Sequence, residues 1–99
     1  MEITKTENNS SIVMNLSGRL DTTTAPQLQD LLIPALDEAT EIVLDFADLA
    51  YVSSAGLRVL LMGQKTAKEK NASMTICNVS EEIAEVFDMT GFSDILTIV

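Results

Sequence analysis

Two adjacent hydroxyls, Ser53 and Ser54, stand in the stretch YVSSAGL, where an aromatic and a β-branched residue give way to a small pair and then an apolar run. Hydroxyls at a handover from strand to helix have two uses. One can cap the helix, because its oxygen accepts a backbone N–H of the first turn. A second hydroxyl is then spare, exposed and open to modification. A phosphoserine there would carry about −1.5 to −2 charge and three acceptor oxygens, set against the unpaired N–H groups and positive end of the helix. The chain could accept that charge without refolding, so the change would fall on the surface. Gly56, in the first turn, would let another backbone or a nucleotide come close, or would merely serve packing.

Other chemistries are closed by what the chain lacks. It has no histidine, which removes a Ser-His-Asp triad, a Cys-His pair and a histidine metal site. Ser54 as the nucleophile of a small enzyme has no convincing lysine base and no glycine-rich oxyanion loop beside it. No phosphate-cradling glycine motif occurs, so no cofactor is expected. The single cysteine, Cys77, can form neither an internal disulfide nor a metal cage, and has no basic neighbour to activate it. Asp45 and Asp48 read as solvated carboxylates without a third metal ligand.

Fifteen acidic against six basic residues give a net charge of −9. That opposes binding to nucleic acid or to an anionic membrane and favours a partner with a basic docking face. The N-terminal MEITKTENNSS has neither the basic lead nor the apolar core of a signal peptide, and no apolar run reaches the roughly 20 residues of a membrane span. The expectation is a cytoplasmic chain forming one domain over residues 1–99.

These residues need elements to position them. Ile12, Met14 and Leu16 alternate with Val13 and Asn15; Ile42, Leu44 and Phe46 alternate with Glu41, Val43 and Asp45; Met74 and Ile76 alternate with Ser73, Thr75 and Cys77. Each pattern is a strand with one buried face. A short strand near Glu2 to Thr6 and a last one in ILTIV are weaker signals. Leu28, Leu31, Leu32, Ala35 and Leu36 form the stripe of a first helix, with Thr24 as N-cap, Pro26 in the first turn, and a kink or fraying expected at Pro34. A second helix runs from about Ala55 to Lys70, with Leu57, Leu60, Leu61 and Ala67 inward. Ser80 caps a third, which Gly91 stops. Strands alternating with helices predict parallel crossovers, and the polar strand faces predict helices on one side of the sheet only.

Three blocks in order, LSGRLDTTTAPQL, IVLDFADLAYVSSAGLRVLL and FDMTGF, resemble the anti-sigma factor antagonist family, the STAS domain of bacterial partner-switching systems. The resemblance spans the chain. It implies an α/β fold of STAS type: a single-layer mixed, mainly parallel sheet of four to five strands with helices packed on one face. It implies a regulator rather than an enzyme, and phosphorylation of Ser54, which matches the serine modified by an anti-sigma factor that is itself a serine kinase. Ser53 stands where the family often has aspartate and is the second candidate acceptor. Asp21 matches the acidic residue on the neighbouring loop. Thr22, Thr23, Ser53, Ala55, Gly56 and Met89 would border the partner surface, although the residues alone read Phe87 and Met89 both as core or cover residues at the helix end. The implied partners are that kinase and a metal-dependent serine phosphatase. The implied alternative is an unphosphorylated STAS scaffold, an accessory subunit of a transporter or sensory complex.

Overall fold

A hairpin of β1 (Glu2–Asn8) and β2 (Ser11–Leu20) opens the computed structural model, which describes residues 1–99. There follow α1 (Ala25–Glu38), β3 (Glu41–Val52), α2 (Ser54–Glu69), β4 (Ser73–Cys77) and α3 (Glu81–Thr90), then a short 3-10 turn at Phe92–Asp94. The sheet order is β1-β2-β3-β4, with β1 antiparallel to β2 and the remaining neighbours parallel. Each parallel pair is joined through a helix, the long crossover that parallel pairing demands.

The alternating patterns translate directly into burial. Ile12, Met14, Leu16, Ile42, Leu44, Phe46, Met74 and Ile76 are all 3% exposed or less and face the helices. Val13, Asn15, Val43, Asp45, Thr75 and Cys77 on the reverse face are only half-buried, with no helical layer over them. A mainly parallel sheet covered on one side alone is the expected single-layer α/β arrangement. Close approach of α1 and α2 depends on Gly63, where a Cβ would lie 2.7 Å from Leu32 Cδ2 and 2.9 Å from Met74 Sδ.

Three details of the helices depart from expectation. Leu31 is 38% exposed, so the buried stripe of α1 is Leu28, Leu32, Ala35 and Leu36. The helix does not fray at Pro34 but continues to Glu38. Pro34 and Asp30, whose carbonyl loses its partner, are both on the exposed side, where water can satisfy that carbonyl. Thr24 occupies the N-cap position, yet its side chain makes no cap bond. The expected last strand shrinks to one parallel bridge, Ile76 to Ile98, held by hydrogen bonds of 2.9 Å from Ile76 N–H to Thr97 O and from Val99 N–H to Ile76 O. Gly91, at φ 79°, ends α3 and turns the chain into the 3-10 turn, which leaves few residues to lie along β4.

β3 carries the irregularity that matters for function. It pairs Asp45 with Asn15 but Asp48 with Ser17, then Leu49 with Gly18 but Tyr51 with Arg19. The strand therefore holds one extra residue at each of two bulges. Each bulge re-aims the following side chains, so that Phe46, Leu49 and Val52, three residues apart, all point into the core.

Candidate functional site

Where β3 ends, the Ser53 N–H donates to Leu20 O at 2.9 Å and so staples the start of the next element to the end of β2. Ser53 is extended, with φ −92° and ψ 175°, as a cap requires. Its Oγ accepts the Gly56 N–H at 3.3 Å. Ser54 is the first residue of α2 and is exposed, and its hydroxyl has no hydrogen-bond partner in the chain. One serine is thus used by the backbone and the other is free.

Ala55 is half-buried and Gly56 is buried. A Cβ at Gly56 would lie 2.7 Å from Leu20 Cγ and 3.1 Å from Leu20 O. Of the two readings of Gly56, this favours packing: the room it leaves is filled from within by Leu20.

The loop after β2 lies on the same edge. Asp21 Oδ1 accepts the Thr23 N–H at 3.0 Å, the Thr23 hydroxyl at 2.8 Å and the Thr24 N–H at 3.2 Å. Asp21 therefore caps the turn Thr22–Thr24 that leads into α1, while Thr24, at the N-cap position, makes no cap bond of its own. The Thr24 hydroxyl donates to Arg19 O and accepts the Asp21 N–H, each at 2.8 Å, and also lies 3.2 Å from Asp21 Oδ1. The Thr23 hydroxyl first, and then the two backbone donors, hold the Asp21 carboxyl below its ordinary value. Thr22 is exposed beside them.

Arg19 and Tyr51, Cα partners across β2 and β3, form a feature that the linear sequence does not announce. The Arg19 guanidinium lies 4.2 Å from the centroid of the Tyr51 ring, and its Nε is 3.8 Å from Asp21 Oδ2. Such a stack at an exposed site is worth about 0.5–1 kcal/mol. The structure thus gathers Arg19, Asp21, Thr22, Thr23, Tyr51, Ser53, Ser54 and Ala55 at the C-terminal edge of β2 and β3. Met89 is not among them. It is 85% exposed in the last turn of α3, and no hydrogen bond ties it to the serine turn. Phe87 is fully buried, its ring 6.5 Å from that of Phe46.

Asp45 is not the merely solvated carboxylate that its position suggested. It accepts from Asn78 Nδ2 and the Ala47 N–H, each at 2.9 Å, and from Asn15 Nδ2 at 3.0 Å. The Asn78 amide, then the Ala47 N–H and the Asn15 amide, hold its carboxyl below the usual range against the opposing effect of burial. It therefore pins the first bulge of β3 between β2 and the end of β4. Burial, and then the charge of Asp45, push the Cys77 thiol up, so it stays protonated and inert. No group of three or more His, Cys, Asp or Glu side chains is placed to hold a metal ion. Two surface grooves, of about 340 and 380 Å³, are lined by neither Ser53 nor Ser54. The serine turn is a projecting edge suited to docking, not a cavity that encloses a substrate.

No helix is long and apolar enough to cross a membrane. Among proteins of known sequence, the chain is 32% identical to the anti-sigma-B factor antagonist of Bacillus subtilis strain 168 over 92 residues, covering 93% of this chain and 84% of that one. It is 31% identical to the protein of that name in Staphylococcus epidermidis over 84 residues, 84% of this chain and 78% of that one. In fold it matches the solved structure of the Bacillus cell fate determinant SpoIIAA in the phosphorylated form, with a TM-score of 0.78 and 19% identity over 99% of this chain and 91% of that one. The family model described as "Mlab, STAS domain" matches residues 3–98. With that match over nearly every residue, on a one-sided α/β sheet, the chain belongs to the STAS domain family.

Proposed function

We propose that this chain is an anti-sigma factor antagonist, a partner switch controlled by phosphate on Ser54. With Ser54 free, it binds an anti-sigma serine kinase and so releases a sigma factor. In phosphorylation, the Ser54 Oγ–P bond forms as the terminal P–O bond of the nucleoside triphosphate breaks. The hydroxyl proton passes to a base of the kinase and the nucleoside diphosphate leaves. A metal-dependent serine phosphatase hydrolyses the ester, returning the hydroxyl and inorganic phosphate. The chain is a regulatory substrate in the cytoplasm, not a catalyst.

The observation that carries this reading is the division of labour between the serines: Ser53 takes the cap bond from Gly56 while Ser54 stands exposed and unbonded at the helix start. Modification of Ser54 therefore leaves the backbone bonding of the turn intact. The relatives named anti-sigma-B factor antagonist support the reading of the chain as such an antagonist. Asp21, Thr22, Thr23, Ser53 and Ala55 then border the docking face, with Gly56 beneath it as packing. Met89 is proposed as a separate, outlying contact.

The test is intact-mass and phosphopeptide analysis of the protein from its own cells under several stresses. It is combined with calorimetric affinities of the wild type, Ser54→Ala and the phosphoprotein for the purified kinase. Phosphate on Ser54, tight binding by the first two proteins and lost binding by the third are expected. A chain that stays unmodified in every condition would instead be a scaffold whose serines are plain caps.

A further inference from the structure

Helix α2 has an unusual charge order. Its first turn contains no acidic residue, and its first charged side chain is Arg58. A cation that near the positive end of a helix is unfavourably placed, since anions belong there and cations at the other end. Arg58 is exposed, forms none of the ion pairs of the molecule and makes no hydrogen bond. Its guanidinium has no use within the unmodified chain.

Arg58 also follows Ser54 by four residues. On a helix, such residues are neighbours on one face, with Cβ atoms about 5–6 Å apart. Helical side chains lean toward the N-terminus, so Arg58 leans over the turn that carries Ser54. An anion at i with a cation at i+4 is the better order of such a pair. A phosphate on Ser54 would supply the missing anion, and the planar fork of an arginine fits two of its oxygens.

We propose that Arg58 is the positioning residue for phosphate on Ser54: once the group is attached, the guanidinium closes on it within the same helix and holds it across the first turn. This rests on the reading of Ser54 as the modified residue and deepens it. A kinase with a basic face ought to welcome more negative charge on a chain of net charge −9. Phosphate nevertheless has to weaken docking in the proposed switch. A phosphate already engaged by Arg58 is not free to meet a cation of the partner. It remains as a bulky, strongly hydrated group in the docking face, costly to desolvate. Asp21, on the adjacent loop, repels it further.

The experiment uses the full chain with phosphoserine installed at position 54 by chemical synthesis, as wild type and as Arg58→Gln and Arg58→Lys. The second ionisation of the phosphate is titrated by phosphorus NMR, and all forms are melted with and without phosphate. Asp21 is common to all three, so its effect cancels. The expected result is a phosphate that ionises at a pH lower by about 0.3 in the wild type than in Arg58→Gln, with Arg58→Lys between them. Unmodified Arg58→Gln should melt at or slightly above the wild type, as loss of a cation near the helix N-terminus requires, and phosphate should raise the melting point more in the wild type than in that variant. Superimposable titrations of wild type and Arg58→Gln would overturn the proposal. Because the phosphate is installed chemically, that failure is distinct from failure of the switch, which would show as unmodified Ser54 in cells.

Discussion

Replacing Ser53 by alanine and, separately, Ser54 by alanine should split the two serines by stability. Ser53→Ala removes the oxygen that accepts the Gly56 N–H and leaves that donor with no partner in the first turn of α2. Loss of a serine cap costs about 0.5–2 kcal/mol. At 3.3 Å the bond is at the long end for an N–H donor, which places the cost near about 1 kcal/mol. Ser54 makes no bond, so its replacement loses nothing and gains up to about 0.5 kcal/mol of helix propensity. The two variants should thus differ by about 1–1.5 kcal/mol, with Ser53→Ala the weaker. For a chain of this size the melting point moves about 4–8 °C per kcal/mol, so the separation is well within reach of thermal melts, with urea titration as a check on unchanged slope. Equal destabilisation by both, or a neutral Ser53→Ala, would refute the division of labour, and with it the argument that phosphate on Ser54 is structurally harmless.

Ser54→Asp should stabilise the fold by about 0.3–1 kcal/mol through the helix dipole while weakening the kinase complex less than phosphate does, because it carries about one charge; melts and calorimetry on the same preparation separate the two effects. Gly56→Ala should cost about 1–3 kcal/mol, since its Cβ would enter the space of Leu20 at 2.7 Å and approach the Leu20 carbonyl as well; chemical denaturation reads this directly. Asp45→Asn should be less stable than wild type at neutral pH, with the gap narrowing in acid. A carboxyl held below its ordinary value of 3.8 stabilises the fold above that pH and loses the effect as pH falls toward its depressed folded value, so melts of both proteins from pH 7 down through that range provide the check.

The sheet was legible in the sequence because one of its faces is wet. Uncovered strands must alternate, and Ile12, Met14 and Leu16 against Val13 and Asn15 do so without ambiguity. The end of β3 was harder. Its two bulges depend on register with β2, and nothing local in DFADLAYV states that one extra residue is inserted before Asp48 and another before Tyr51. The Arg19–Tyr51 stack was hidden for the same reason, since only the pairing of the strands brings the two together. The caps show both sides of the matter. Ser80 acts locally and was readable, as was a serine cap on α2 though not which serine, whereas the hold of Asp21 on the turn before α1 rests on how the β2–α1 loop folds back on Arg19 O. Pro34 does not fray α1, because it and Asp30, whose carbonyl it leaves free, both lie on the exposed side. The Ser54–Arg58 spacing lay in plain view, but an arginine without a partner looks like an ordinary surface charge until the structure shows the absence of every other contact.

Topology explains why the candidate site has to be where it is. β2 and β3 are neighbours and parallel, so the loops that follow them leave from one edge of the sheet, and the Ser53 N–H to Leu20 O bond fixes their spacing. Asp21 is the next residue on one chain and Ser54 the next on the other side of that staple. Both project from ends whose last inward side chains, Leu20 and Val52, are buried in the core. A charge added at Ser54 is therefore felt by Asp21 on the adjoining loop and by Arg58 one turn along α2, while the core beneath offers no polar side chain to respond to it: no buried residue is polar or charged. A chain built this way has no internal device to convert phosphate into a new shape. In the proposed switch, whatever phosphate does to partner choice is done at the edge itself, by the charge, bulk and hydration of a group that Arg58 engages and Asp21 repels.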